Sequence, residues 1–351
     1  MSSADAPRLA VLIPCYNEEA SIAKVVADFR ACLPAATIYV YDNNSRDGTA
    51  AAARGAGALV RREDLQGKGH VVRRMFADIE ADAYVLVDGD DTYDAMTAPE
   101  MVRVLIDNGL DMVTGARVTE IEAAYRRGHR LGNRLLTGMV GIIFGNRITD
   151  MLSGYRVLSR RFVKSFPALA LGFEIETEFS VHALDLHMPV AEIETFYRDR
   201  PAGSHSKLRT IPDGLRILRT IVVLVKDERP LQFFSLAGLL LFLAGFGCGI
   251  PVVVDFLKTG LVPRLPTAVL ATGLILLSSL SFAVGLILDT VARGRKEAKR
   301  LVYLAIPGTA SQSWRGGMAE REPDAVPAET LSAPPAQQAG GALIHPMRQR
   351  P

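Results

Sequence analysis

The chain has 351 residues, with 40 Lys and Arg against 38 Asp and Glu and a formal net charge of +2. That near balance, with no basic stripe and no nucleic-acid-binding motif, excludes DNA and RNA as expected partners. Cys15, Cys32 and Cys248 form neither a metal-spaced pair nor an even disulfide set, which suits a reducing compartment.

Leu9 to Ile13 is a short apolar run that reads as a strand, followed by the loop Pro14-Cys15-Tyr16-Asn17-Glu18-Glu19. A helix-period stretch continues through Leu33, with Asn17 as its expected N-cap. A second strand, Thr37 to Tyr41, runs into Asp42-Asn43-Asn44-Ser45-Arg46-Asp47-Gly48-Thr49, and an Ala-rich helix follows. A short strand near Ala58 to Val60 precedes Gly67-Lys68-Gly69, whose glycines let backbone and Lys68 come close to an anion. Polar loops after successive strands converge on one edge of a parallel sheet.

The next strand is the most informative. Val85-Leu86-Val87 ends abruptly in Asp88-Gly89-Asp90-Asp91-Thr92-Tyr93-Asp94. A continuous apolar run fits an interior strand of a parallel sheet, and ligands bind beyond the carboxyl ends of such strands. Two carboxylates flanking one small residue can hold a hard divalent cation, Mg²⁺ or Mn²⁺, against a diphosphate. The same residues also suit a solvated acidic turn.

Taken in order, Pro14-x-Tyr16-Asn17-Glu18, Asp42-Asn-x-Ser45-x-Asp47-Gly48-Thr49, Gly67-Lys68-Gly69 and Asp88-x-Asp90 resemble the family 2 glycosyltransferases of GT-A fold, in particular the polyprenyl-phosphate (dolichol-phosphate type) enzymes. The resemblance implies an α/β, Rossmann-like catalytic domain with a mostly parallel sheet. It also implies that Pro14, Tyr16, Asn17, Glu18, Asp42, Asn44, Lys68 and Asp88 bind a nucleotide sugar, and that Asp88 and Asp90 hold the metal. Downstream, Asp150-Met-Leu-Ser153-Gly154-Tyr155-Arg156 looks like the segment that reaches the reaction centre. Arg200 to Lys207 resembles the basic loop near the membrane, so Arg156, Arg200, Ser206 and Lys207 are expected at phosphates of the acceptor. Glu174-Ile-Glu176-Thr-Glu178 supplies a candidate for sugar contact or general base, Glu176 being the choice, with an exposed helix start as the alternative. Asp90, Arg156 and Glu176 make up the expected catalytic set.

Leu231 to about Leu257 and Pro266 to about Val291 are each long enough to cross a hydrocarbon core of ~30 Å. Lys226 and Arg229 precede the first span and Arg293, Arg295, Lys296, Lys299 and Arg300 follow the second, so both termini are expected in the cytoplasm. The only early apolar run is the short first strand, which predicts no signal peptide and a cytosolic catalytic domain. The predicted organisation is a catalytic domain at 1–207, interfacial amphipathic helices at 208–230, a transmembrane hairpin at 231–292, and a basic juxtamembrane segment with a disordered tail at 293–351. The expected partners are a nucleotide sugar, a polyprenyl-phosphate lipid and the membrane, and a homo-oligomer is compatible with this scheme. The expected reaction is inverting transfer of a hexose, glucose from UDP before mannose from GDP. Two rivals are a polysaccharide synthase and a non-catalytic membrane scaffold. The first lacks a Gln-x-x-Arg-Trp motif here, the single Trp being Trp314, and the second would not need both Asp88 and Asp90.

Overall fold

A computed structural model of the chain describes residues 7–118, 138, 141, 148–172, 174–198 and 210–308, with backbone only for 210–217. Arg200, Ser206, Lys207 and the tail beyond 308 lie outside the described residues.

The strands are β1 (Leu9–Cys15), β2 (Thr37–Asp42), β3 (Leu59–Arg62), β4 (Ala83–Leu86), β5 (Met112–Val118), β6 (Arg156–Ser159) and β7 (Val190–Phe196). They form one seven-stranded sheet in the order β3-β2-β1-β4-β6-β5-β7. All run parallel except β6, which is antiparallel to both of its neighbours, β4 and β5. This is the mostly parallel α/β arrangement expected for the GT-A fold, with one reversed strand that the sequence pattern did not announce.

The central strand β4 is apolar throughout and β1 nearly so because both faces are covered. Val85 and Val157 pack on one side with α1 (Glu19–Cys32) and α4 (Ala98–Asp107), while Tyr84, Leu86 and Leu158 pack on the other with α3 (Lys68–Asp78), α5 (Arg160–Ser165) and α6 (Ile175–Asp185). The short helix α2 (Thr49–Gly55) joins β2 to β3. Pro14 is tolerated in β1 because pairing with β4 has already ended at Leu12, so no ladder bond is lost there.

Asn17 is not the N-cap of α1. Glu18 occupies that position, and Asn17 adopts a left-handed backbone with φ 52°. Its side chain instead accepts the Arg46 amide at 2.8 Å, joining the loop after β1 to the loop after β2.

The C-terminal part contains α7 (Thr210–Glu228), α8 (Pro230–Thr259) and α9 (Leu265–Leu304). Ile221 of α7 is buried against the catalytic core, whereas Leu218, Val222 and Val223 stay exposed, giving the helix two apolar faces with different surroundings. Both α8 and α9 are long and apolar enough to cross a membrane, and Leu236, Leu243, Leu276 and Ile287 along them stay exposed. The two helices approach closely at Gly245 and Gly285, where a Cβ would meet Ala271 O at 3.1 Å and Phe234 Cβ at 2.9 Å respectively.

The basic segment after residue 292 is helical as far as Leu304, since α9 spans 40 residues. Two of its cations hold carboxylates of the neighbouring elements: Lys296 pairs with Asp185 at 2.9 Å and Lys299 with Glu228 at 2.7 Å. Arg293 pairs with Asp289 at 2.8 Å within the helix, and Arg295 donates to the Asp227 carbonyl. Nearly buried carboxylates such as Asp185 need a cation, and α9 supplies it.

Candidate active site

Successive loops at the carboxyl ends of β1, β2 and β4 build the site. The Asn17 amide donates to Ser45 Oγ at 2.9 Å and the Glu18 amide to Thr49 Oγ1 at 2.8 Å, while Glu19 accepts the Gly48 amide at 2.9 Å. Asp42 is nearly buried and accepts the Ser45 amide at 3.3 Å, and the half-buried Tyr16 follows Cys15, the β1 residue that pairs with Asp42. Much of the Asp42 to Thr49 motif therefore stitches the two loops together.

Asn44, expected at the donor, is engaged with the segment around the end of β3. It has a left-handed φ of 65°, donates to the Asp64 carbonyl at 2.8 Å and accepts from Arg62 at 3.0 Å. Its neighbour Asn43, which sequence reasoning passed over, is the organiser. Asn43 Nδ2 donates to the Glu63 and Leu65 carbonyls at 3.0 and 2.8 Å, and its Oδ1 accepts the Gly67 amide at 2.7 Å. Gly67 needs this hold because its φ of 137° is open to glycine alone, and any side chain there would overlap the Leu171 carbonyl.

The turn so fixed delivers Lys68 between two carboxylates. Lys68 Nζ lies 2.5 Å from Asp88 Oδ1 and 2.5 Å from Glu176 Oε1. Burial works against the ammonium, but the two carboxylates outweigh it and hold the lysine charged, well above its ordinary range. Burial pushes the Glu176 carboxyl up, against the pull of Lys68. Asp88 remains part-exposed at 31%, and Glu176 Oε2 is buried without a hydrogen-bond partner among the described residues. The exposed-helix-start alternative for Glu176 is thereby removed, since Glu176 and Glu178 are both buried. Asp90 is nearly buried and accepts from Thr92 Oγ1 at 2.6 Å.

Close backbone approach completes the pocket floor. A Cβ at Gly154 would overlap Asp88 Oδ2, and the Gly154 amide donates to Tyr93 Oη at 2.9 Å. Ser21 Oγ donates to the Gly89 carbonyl at 2.7 Å, tying the acidic turn to α1. Tyr93, Ser21 and Gly154 carried no sequence signal beyond their place near the motifs.

Arg156 requires a correction. It was expected in a polar loop facing a phosphate, but it opens β6 and is 0% exposed. Its guanidinium donates to the Ser153, Met151 and Glu176 carbonyls at 3.1, 2.7 and 3.1 Å and to Ser180 Oγ at 3.0 Å, and it faces the Phe179 ring. Burial lowers it to about 10. Arg156 positions the start of α6, and hence Glu176, from inside the core.

The donor set suits a hard cation. Asp88 offers a part-exposed carboxylate, Gly154 keeps the space at its second oxygen free of a side chain, and Asp90 lies on the same turn. The described residues contain no cluster of three or more His, Cys, Asp and Glu, so the remaining ligands would be diphosphate oxygens and water, as Mg²⁺ commonly has.

Residues 10–166 match the family model described as glycosyl transferase family 2. The chain is also 34% identical to glycosyltransferase AglJ of Haloferax volcanii over 248 residues, 70% of this chain and 81% of that one. The chain belongs to glycosyltransferase family 2. The matched span contains every motif from β1 to β6 on which the site is built. This glycosyltransferase is also 28% identical to the dolichyl-phosphate hexose transferase of the same archaeon, covering 63% of this chain and 95% of that one. In fold, it is similar to the structure of Mycobacterium tuberculosis glucosyl-3-phosphoglycerate synthase in complex with Mn²⁺, uridine diphosphate and glucosyl-3-phosphoglycerate. The TM-score is 0.51, with 20% identity and coverage of 62% of this chain and 80% of that one.

Proposed function

We propose that this glycosyltransferase moves a hexose from a nucleotide sugar to the phosphate of a polyprenyl or dolichyl lipid at the cytosolic membrane face, inverting the anomeric carbon. UDP-glucose is the first choice of donor and GDP-mannose the second. One observation carries the reading: a part-exposed Asp88, backed by Lys68 and Glu176 at the sheet edge, belongs to a chain that continues into two helices long enough to cross a membrane. Resemblance to a dolichyl-phosphate hexose transferase supports the lipid acceptor.

Asp88 and Asp90 would hold Mg²⁺ or Mn²⁺, which stabilises charge on the departing nucleoside diphosphate. The protein supplies the rest. Asn17, Glu18 and Asp42 line the nucleotide side from loops already cross-linked to each other, so little ordering remains when the donor binds. Lys68 fixes the Asp88 carboxylate in orientation, and Glu176 Oε2 is available to accept a sugar hydroxyl. A phosphate monoester has its second pKa near ~6 and is largely dianionic at neutral pH, so the acceptor needs positioning more than a base. Arg200, Ser206 and Lys207 are proposed for that task.

Membranes incubated with labelled nucleotide sugars test the reading. Label entering organic solvent as an acid-labile lipid supports it. Label in insoluble polymer, or no transfer from any donor, contradicts it.

A further inference from the structure

Leu169 and Leu171 are exposed at 72% and 54%, no more than Met96, Leu59 and Leu65 elsewhere in the catalytic domain, but they lie together on one loop. Scattered surface leucines need no explanation, but two on a fixed loop beside a reaction site do. The loop is firmly built. The Glu178 carboxylate accepts the Leu169 and Ala170 amides at 3.0 and 2.8 Å, and Ala168 is held at a left-handed φ of 49°.

One side of the loop is fastened to the turn that carries Lys68. The Gly69 amide donates to the Leu171 carbonyl at 3.2 Å, and side chains at Gly67 or Gly69 would overlap the Leu171 and Ala170 carbonyls. The other side leads to the membrane-length helices. Lys299 of α9 is close enough for its charge to act on Glu178, and it pairs at 2.7 Å with Glu228, which lies just ahead of α8. Next to the loop, the first turn of α3 presents His70 with Arg73 at 2.7 Å from its Nδ1. An apolar pair with the Arg73 guanidinium nearby, held on His70 Nδ1, matches a ligand with an anionic head and a hydrocarbon chain.

We propose that Leu169 and Leu171 receive the isoprenoid chain of the lipid-phosphate acceptor as it passes from the bilayer to the Asp88 site. This rests on the function proposed above and adds the chain-binding surface to it. Phosphate recognition alone would accept a soluble phosphate monoester, whereas the leucines select an amphiphile.

The test uses the full chain in detergent micelles, undecaprenyl phosphate as acceptor, and UDP-glucose or GDP-mannose as labelled donor. The double variant Leu169→Gln/Leu171→Gln should raise KM for undecaprenyl phosphate by roughly tenfold or more, as expected for losing part of two leucine contacts. KM for the donor should stay within about twofold, and Leu169→Met/Leu171→Met should restore the lipid KM because an apolar surface returns. An unchanged lipid KM in the Gln variant overturns the inference. So does a parallel loss of donor affinity, which would mean the loop acts only through Lys68. A wild-type chain that transfers to no polyprenyl phosphate overturns the proposed function itself, a different result from either.

Discussion

Two buried charge clusters sit at opposite edges of the sheet and are finished differently. At the amino edge, Asp111 is 0% exposed and fully served: Ser159 Oγ donates to it at 2.7 Å, Arg161 Nε donates to the same oxygen, and Tyr303 of α9 donates to the other at 2.8 Å. At the carboxyl edge, Lys68 joins Asp88 and Glu176, yet one carboxylate stays part-exposed and one buried oxygen has no partner among the described residues. A buried carboxylate with a donor on each oxygen fastens elements together, here the last turn of α9 to the catalytic domain. The proposed function gives the incomplete one at the carboxyl edge a ligand to receive.

The comparison predicts activity loss without unfolding at one edge and unfolding without specific activity loss at the other. The largest effect is expected for Asp90→Asn, which removes a charge from the turn proposed to hold the metal: transfer should fall below detection in a chain whose thermal melt is unchanged. Wild-type rates in EDTA, or a fully active variant, would break the assignment. Lys68→Met should follow, leaving Asp88 and Glu176 facing each other without their shared cation. The expected loss in kcat/KM is about a hundredfold, read by steady-state kinetics with the donor varied.

At the amino edge, Asp111→Ala strands Arg161, Ser159 and Tyr303, and should destabilise the chain by about 3–5 kcal/mol in a denaturant melt. Donor KM of the fraction still folded should not move. Tyr303→Phe removes only one hydrogen bond and should cost about 1 kcal/mol.

A pH-dependent effect concerns His182, buried between Phe162 and Phe166, where burial and then Lys299 lower it to about 3. The folded chain keeps this imidazole neutral while the unfolded chain protonates it near its ordinary value of 6.5. Its contribution is therefore complete above pH 6.5 and is lost as pH falls from 6.5 towards 3, with a slope approaching about 1.4 kcal/mol per pH unit. His182→Leu should flatten the wild-type stability profile between pH 6.5 and 5, and an unchanged slope would remove His182 from the account.

Much of the carboxyl edge was legible because the elements that build it are local. Strands β1, β2 and β4 are largely apolar runs that stop at polar loops, and the parallel-sheet rule then brings Asp42, Lys68 and Asp88 to one side. Legibility failed where a residue type pointed one way and the packing another. Arg156 looked like a phosphate ligand, but the reversal of β6 turns it into the core, where backbone carbonyls take up its donors. Asn43 and Asn44 are chemically identical, and only backbone geometry decides which of them organises the Gly67 turn. The amino edge was invisible for a different reason. Tyr303 and Asp111 are 192 residues apart, and no periodicity or spacing links a helix end to a strand start over that distance.

The most direct test of the central claim is transfer by the purified full chain, with labelled UDP-glucose or GDP-mannose, Mg²⁺ or Mn²⁺, and undecaprenyl phosphate in detergent. The account predicts a labelled, acid-labile lipid that forms with wild type, disappears with EDTA, and is absent with Asp90→Asn. Transfer that proceeds undiminished in EDTA, or label that accumulates only in water-soluble or polymeric product, would contradict it.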